Sequence, residues 1–153
     1  MSIQDRSRLA GVVRLLAQPK RRWLLAAEAT AELTMMKMWV TLRPFRAYAH
    51  LTQGEECWPH GVSTERVKDL MWAIESTGRY APQGINCLPR ALALQRMLIR
   101  RGGRATIHFG VRKGAEGVEA HAWVTLRAKV LLGGLPNLNE YAVLSSWPSE
   151  RKL

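Results

Sequence analysis

The chain lacks the features that mark several large classes of protein. Its 153 residues include only two cysteines, Cys57 and Cys87. Two cysteines do not form the disulfide framework of a small secreted domain, so we expect the reducing environment of the cytoplasm. The first residues, MSIQDRSRLAG, are charged and contain no apolar run that ends at a small-residue cleavage site. That pattern argues against a signal peptide.

No stretch of the sequence is apolar enough to predict a membrane span. The most apolar segment, residues 23–42, reads WLLAAEATAELTMMKMWVTL and contains Glu28, Glu32 and Lys37. Three charges within about 20 residues, the length of one bilayer crossing, oppose insertion into lipid. We therefore expect this segment to form a helix that is buried in the core or faces a partner.

The sequence also lacks the motifs of nucleotide-binding and nucleic-acid-binding proteins. It has no phosphate-binding loop, so we expect no ATP site and no cofactor. No helix-turn-helix, zinc-finger or RNA-binding aromatic signature is present, which makes nucleic acid a distant alternative. The net charge is nevertheless +11, of which residues 88–153 supply +7 from eleven basic and four acidic residues. Such a charge favours an acidic partner: nucleic acid, a membrane surface or an acidic peptide.

The sequence contains a series of helical patterns followed by a series of strand patterns, without repeats or long linkers. Apolar spacing predicts helices over residues 4–17, 20–42, about 64–77 and from about 87 to 101. The segments rich in β-branched and aromatic residues come later, and they are RATIHFGVR, VEAHAWVTLR, AKVLL and EYAVL. This order predicts a single α+β domain over residues 1–153, with a helical part over about 1–50 and a core over about 63–153.

One cysteine stands at the start of an amphipathic, basic helix. In GINCLPRALALQRMLIRRGG, residues 84–103, Pro89 is tolerated only in the first helical turn, which places the helix start close to Cys87. Gly102 and Gly103 are expected to end the helix. Free N–H groups and the positive end of the helix dipole stabilise a thiolate at such a position. Cys87 is therefore a candidate nucleophile, with plain packing at a helix end as the alternative.

His121 is the candidate base for that cysteine, because a cysteine nucleophile usually works with a histidine. By the two-residue alternation of a strand, it shares a face with Glu119, Trp123 and Thr125 in EAHAWVT. A cysteine on a helix followed 34 residues later by a histidine on a strand suits a cysteine protease or a transglutaminase-like site. The alternative is a structural histidine.

A metal site is a competing interpretation of the same residues. Cys57 and His60 form a C-x-x-H pair in ECWPHG, and Cys87 with His121 would complete a Cys₂His₂ set. This spacing is not that of the usual paired zinc-binding elements. We therefore expect no metal site, and a loop around Cys57 that packs on the core.

The block over residues 87–124, CLPRALALQRMLIRRGGRATIHFGVRKGAEGVEAHAWV, closely resembles the lasso-peptide leader peptidases. These enzymes belong to the transglutaminase-like, papain-like superfamily. The shared pattern is a Cys-Leu-x-Arg start, an Ala/Leu-rich helix, a basic turn with glycine, a GVR strand and AHAWV. The segments LRPFRA and YAVL also resemble the family's flanks. The resemblance implies a transglutaminase-like core in which a nucleophile helix packs on an antiparallel sheet.

The resemblance also implies a function and partners. The protein would be a cysteine endopeptidase that removes the leader from a ribosomally made lasso-peptide precursor. Its partners would be that precursor, a separate precursor-recognition protein and an ATP-dependent lasso cyclase. Because the N-terminal part lacks a strand-rich winged-helix pattern, the chain resembles the standalone form of the peptidase. Met35, Met36 and Trp39 are candidates for a docking face, with core packing as the simpler interpretation.

The family's site residues match this sequence with one departure. Cys87 matches the nucleophile, and its backbone N–H would help to bind the oxyanion. His121 matches the general base, and Trp123 would form a wall of the substrate pocket. The family's aspartate, about a dozen residues after the histidine, falls at Gly133 or Gly134.

The missing aspartate leaves three alternatives open. Asn137, Asn139 or Glu140 could replace it, as asparagine does in papain-like enzymes. A backbone carbonyl could instead hold the histidine ring of a Cys–His dyad. In the third alternative, the protein is a catalytically weak or inactive scaffold of the same fold that binds precursor and cyclase.

Overall fold

The structure is a computed structural model of the chain, and it describes residues 20–52, 55–58, 60–80 and 86–147. The helix expected over residues 4–17 lies outside the described residues. Three helices come first, namely α1 (Lys20–Leu42), α2 (Thr64–Tyr80) and α3 (Cys87–Ile99). Four strands follow, namely β1 (Thr106–Gly114), β2 (Gly117–Leu126), β3 (Lys129–Leu132) and β4 (Ala142–Trp147). Short 3₁₀ turns occupy Phe45–Ala47, Ala49–Leu51 and Leu138–Glu140. The expected α+β order is confirmed.

The first two helices start and stop at local signals in the sequence. α1 has the expected bounds and ends just before Pro44, because a residue that precedes proline is pushed out of the helical conformation. α2 is capped by Ser63, whose hydroxyl oxygen accepts a hydrogen bond from the backbone N–H of Arg66 at 3.3 Å. It runs three residues further than expected, to Tyr80.

α3 is the most completely enclosed element, and its start is the nucleophile candidate itself. Its buried residues are Pro89, Ala91, Leu92, Ala93, Leu94, Gln95, Met97 and Leu98. α1 and α2 pack against it, and β2 packs against it from the sheet. Gly102 takes a left-handed conformation with φ of 70° after the helix, and the N–H of Gly103 donates to the carbonyl of Leu98 at 2.9 Å. The expected glycine stop is confirmed.

The strands form one antiparallel sheet in the order β3-β2-β1-β4. Ile107 pairs with Val124, and this buried face packs into the same core as α3. Gly110 pairs with His121, which places the histidine opposite the one residue type without a side chain. β4 begins at Ala142, two residues later than expected, because residues 138–140 form a 3₁₀ turn instead.

The charges in the apolar segment of α1 are used in ion pairs with α3. Glu32 is 3% exposed, accepts a hydrogen bond from Arg96 Nε at 2.7 Å and also pairs with Arg100. Glu28 accepts two hydrogen bonds from Arg101, at 3.0 and 2.8 Å. These bonds from Arg101 hold the pKa of Glu28 below its ordinary value, against the opposing effect of burial. α1 is thereby fixed to the C-terminal half of α3.

The apolar residues of α1 mostly face the core. Met36 is fully buried, so the core-packing interpretation is confirmed for it and a docking role is wrong. Met35 and Trp39 are half-buried and pack against the same core. A docking role for the rest of this helix stays a prediction. Across the part of the chain that the structure describes, no helix combines the length and apolar character that a bilayer crossing needs.

We expect Glu32→Gln to lower the free energy of unfolding by about 2 kcal/mol, because Arg96 and Arg100 would lose a buried carboxylate partner. The cost stays below that of a fully enclosed pair because both arginines keep contact with water. The control is Glu65→Gln, which breaks an exposed pair with Lys68 and is expected to cost less than about 1 kcal/mol. Urea denaturation followed by circular dichroism measures both, and equal losses would contradict the assignment.

Candidate active site

An open cleft with a volume of about 900 Å³ lies between the start of α3 and the end of β3. Its walls come from α1, α2, the first turn of α3, β2 and the residues that follow β3. Cys87 and His121 both line it. The structure therefore brings the two principal candidates of the sequence into one cleft that is open to a substrate.

Cys87 is the first residue of α3 and a half-buried free thiol. Asn86 occupies the N-cap position in an extended conformation, and its side chain makes no capping hydrogen bond. The first turn also contains no acidic residue. The positive end of the helix is thus not neutralised by a side chain of its own first turn, and it stays available to an anion that forms in the cleft.

The ring of His121 is held by a backbone carbonyl. Its Nε2 lies 2.7 Å from the carbonyl oxygen of Gly133. Because a carbonyl oxygen can only accept, Nε2 must be the nitrogen that carries the hydrogen and donates. The neutral ring therefore has a free lone pair on Nδ1, which is what a general base needs.

Gly133 cannot carry a side chain in this arrangement. Its φ is 77°, in the left-handed region that glycine alone adopts freely. A Cβ atom there would lie 2.7 Å from the carbonyl oxygen of Ala122 and 3.0 Å from Cα of Trp123. An aspartate at position 133 would collide with the backbone of β2. The carbonyl of this glycine lies against the histidine where the resemblance expects a carboxylate.

The family model of the transglutaminase-like superfamily matches residues 29–146. The chain belongs to this superfamily. The match covers more than half of the chain and includes Cys87, His121 and Gly133. No curated protein and no solved structure matches the chain. Membership of this superfamily indicates an enzyme of the cysteine-protease or transferase type.

The three side chains expected as the third member of a transglutaminase-like site lie elsewhere. Asn137 donates a hydrogen bond to Glu140 at 3.3 Å, and Glu140 accepts another from Arg112 at 2.7 Å. Neither these two nor Asn139 lines the cleft within residues 86–147. A catalytic role for any of the three stays a prediction, whereas Gly133 is in direct contact with the ring.

Trp123 lies beneath the histidine of the transglutaminase-like site. It is 6% exposed, and its ring stacks on His121 with 6.1 Å between the ring centroids and on His108 with 5.3 Å. The ring of Tyr141 lies 5.5 Å from His121. A Cβ atom on Gly110 would come within 2.9 Å of the Trp123 ring, so this strand position needs glycine. The structure gives Trp123 a supporting position, and a direct contact with substrate stays a prediction.

The remaining candidate ligands of a zinc site are not assembled around the cleft. Cys57 pairs with Arg104 through two backbone hydrogen bonds of 2.9 and 2.8 Å. The ring of His60 lies against Gly102, beyond the far end of α3. Among the residues that the structure describes, no three histidine, cysteine or acidic side chains are grouped so that they could hold a metal ion.

The sequence left open a backbone carbonyl as the support of the His121 ring, but it did not indicate that Gly133 supplies this carbonyl or that Tyr141 contacts the ring. It marks residues 133–134 only as the place where an aspartate is absent. The signal that could have found them is the Gly-Gly pair directly after a short strand, which marks a backbone that turns sharply or approaches another segment closely. No pattern in the sequence indicates Tyr141.

We expect Gly133→Ala to lower the free energy of unfolding by about 2 kcal/mol, because alanine is strained at positive φ and meets the backbone of β2. The matched control is Gly134→Ala, whose added Cβ meets only Val130 at an ordinary 3.5 Å. Thermal unfolding compares the two variants. The ¹⁵N shifts of the His121 ring should change only in Gly133→Ala, and unchanged shifts would refute the hydrogen bond.

We also expect acid to destabilise the fold through His108. Burial lowers the pKa of His108 from its ordinary value of 6.5, against the raising effect of Glu56. The unfolded chain therefore binds this proton first, so the free energy of unfolding falls as the pH drops from about 6.5 to the folded-state pKa. His108→Gln should remove this part of the pH dependence, whereas His50→Gln, at an exposed site, should keep it. Urea denaturation between pH 5 and pH 8 (roughly the histidine range) tests this.

Proposed function

We propose that the protein is a cysteine endopeptidase that removes the leader from a lasso-peptide precursor. The observation that carries the proposal is the geometry of one cleft, which contains Cys87 at a helix start and His121 with its Nε2 on the Gly133 carbonyl. The superfamily supports thiol chemistry in general. The lasso substrate is supported by the resemblance of residues 87–124 to the leader peptidases.

The first half of the reaction forms an acyl-enzyme. Nδ1 of His121 accepts the thiol proton of Cys87, and the thiolate attacks the carbonyl carbon of the scissile bond. The oxyanion forms beside the first turn of α3, where the backbone N–H of Cys87 can donate to it. His121 then gives its proton to the leaving amine. The C–N bond breaks, and the leader remains as a thioester on Cys87.

The second half releases the leader. His121 accepts a proton from water, and the oxygen attacks the thioester carbon. The C–S bond breaks, the proton returns to the sulfur, and the leader leaves with a new C-terminal carboxyl group. The core peptide then has a free α-amine, which a separate ATP-dependent cyclase can join to a side-chain carboxyl group.

The carbonyl of Gly133 supports this mechanism only in part. It fixes the ring orientation and the tautomer of His121. In serine proteases, replacing the triad aspartate with asparagine gives the wrong histidine tautomer and lowers the rate about 10⁴-fold. The carbonyl carries only a partial charge, so it stabilises the imidazolium ion less than a carboxylate would. We therefore infer a working but slower enzyme than one with an aspartate.

The thiol and the ring approach each other on the path to reaction. Among the described residues, no hydrogen bond joins the Cys87 sulfur to His121. Such bonds are often long without substrate and tighten in the Michaelis complex. Cys87 and His121 both line the open cleft, so a substrate bound there can bring the sulfur and the ring together.

The second candidate function is a non-catalytic scaffold that binds precursor and cyclase. It is favoured by the ring contacts of His121, which include no carboxylate within the described part of the chain. The reactivity of the thiol separates the two functions. A catalytic Cys87 should be alkylated rapidly at neutral pH, whereas an inert thiol reacts slowly.

The proposal is tested by mass spectrometry of a lasso precursor incubated with its recognition protein and this chain. The wild type should yield one leader-sized fragment, and Cys87→Ala should yield none. His121→Ala should reduce the rate by about 10³-fold or more. Cys57→Ala is the matched control and should cleave like the wild type, since Cys57 lies outside the cleft.

Cleavage by Cys87→Ala would refute the peptidase assignment. If the wild type binds the precursor and leaves it intact, the scaffold function is correct instead. A fragment with a junction outside the leader boundary would retain the chemistry and refute the substrate.

A further inference from the structure

We propose that Arg79 and Arg90 form a subsite beside Cys87 that binds an acidic side chain of the substrate. The inference rests on the proposed function, since it concerns the substrate of the same cleft. The substrate class is a peptide with Asp or Glu close to the scissile bond.

The two arginines reach the cleft from two different helices. Arg79 lies in the last turn of α2 and is exposed, and Arg90 lies in the first turn of α3 and is half-buried. Both line the cleft that contains Cys87. Arg90 follows the cysteine by one helical turn, so its side chain starts close to the reacting sulfur.

These arginines differ from those that hold the fold together. Arg96, Arg101 and Arg112 each bind a glutamate within 3.0 Å. Within the residues that the structure describes, neither Arg79 nor Arg90 makes an ion pair. The sequence between α2 and α3, residues 81–85, reads APQGI and contains no acidic residue.

The guanidinium group of Arg90 is held in place by a hydrogen bond to a backbone carbonyl, and it makes no ion pair with a described residue. Its Nη2 donates to the carbonyl oxygen of Gly78 at 2.9 Å. The group lies close to Gly78, where a Cβ atom would come within 2.9 Å of Nε. That Nε is buried and has no hydrogen-bond partner among the described residues. A guanidinium that is already ordered can bind a carboxylate with little further loss of entropy.

The charges around the cleft favour an anion. Lys37, Arg79 and Arg90 line it, and Glu75 is the single carboxylate among its described lining residues. The positive end of α3 also opens into this space. An excess of positive charge in the lining attracts an anionic ligand over about 8 Å at physiological salt. A peptide with an acidic side chain is the substrate class that fits them.

The test uses two alkylating reagents of nearly equal size, iodoacetate and neutral iodoacetamide, mixed in equal amounts with the wild type. Mass spectrometry measures the ratio of carboxymethyl to carbamidomethyl product at each cysteine. We expect this ratio to be about tenfold higher at Cys87 than at Cys57, which serves as an internal control. The excess should shrink as salt is added.

Substitutions assign the effect to the arginines. Arg79→Gln should lower the ratio at Cys87 several-fold, and Arg90→Gln should lower it further if the variant folds. Arg66→Gln is the matched control, because Arg66 is exposed on the same helix and lies outside the cleft. Arg79 is exposed and makes no ion pair with any residue that the structure describes, so its variant keeps the test decisive if Arg90→Gln does not fold. An unchanged ratio in Arg79→Gln would overturn the proposal.

A second measurement identifies the source of the carboxylate. Blocked peptides, acetylated and amidated at their ends, are compared for protection of Cys87 from iodoacetamide. Protection by a glutamate peptide and much less by its glutamine counterpart supports the side-chain subsite. Equal protection by both, no protection by either, or protection only by a peptide with a free C-terminal carboxylate overturns it.

The outcome is separable from that of the proposed function. Alkylation needs a reactive thiol and no cleavage. A raised ratio in a protein that cuts no precursor would keep the subsite and refute the peptidase. A ratio equal to that at Cys57 in a protein that cuts its precursor would do the reverse.

Discussion

The enclosure of α3 is the constraint on which the rest of this structure depends. Residues 91–95 of the helix are buried without interruption between α1 and α2 on one side and the sheet on the other. Its far end is fixed to α1 by Glu28 and Glu32. Its first turn lines the cleft. Because the helix cannot shift without breaking this packing, the thiol of Cys87 is held at one place relative to β2.

Close packing also determines how His121, the candidate base for Cys87, is supported. A side chain at position 133 has no room against the backbone of β2, so this residue cannot supply a carboxylate to His121. The chain instead turns its own carbonyl toward His121 through a left-handed glycine. The site thereby keeps the orientation and tautomer of its histidine and gives up a full negative charge. Because no carboxylate lies against His121 among the described residues, the cleft is more favourable to acidic ligands.

The arginines of α3 and β1 differ in their partners according to their position. Those at the end of α3 and on β1 are neutralised by glutamates, and they hold elements together. Arg90, at the start of α3, donates a hydrogen bond to a carbonyl oxygen, and Arg79 lines the cleft. The described basic residues therefore include some that hold the fold together and some that face the cleft. Composition alone reports only their sum.

The sequence by itself determined what depends on neighbouring residues. Pro44 and Pro89 bound helices, Gly102 ends one, and two-residue alternation placed His121 and Trp123 on one strand face. Resemblance and local pattern together indicated Cys87 and His121 as the candidate nucleophile and base. The tertiary structure alone decided that Gly133 holds the histidine, because a sequence displays side chains and does not display where a carbonyl points. It also decided that Glu32 pairs with Arg96 and that Arg79 and Arg90 line the same cleft as Cys87. Such contacts depend on how separate elements pack, and residues far apart in the chain carry no local signal of that packing.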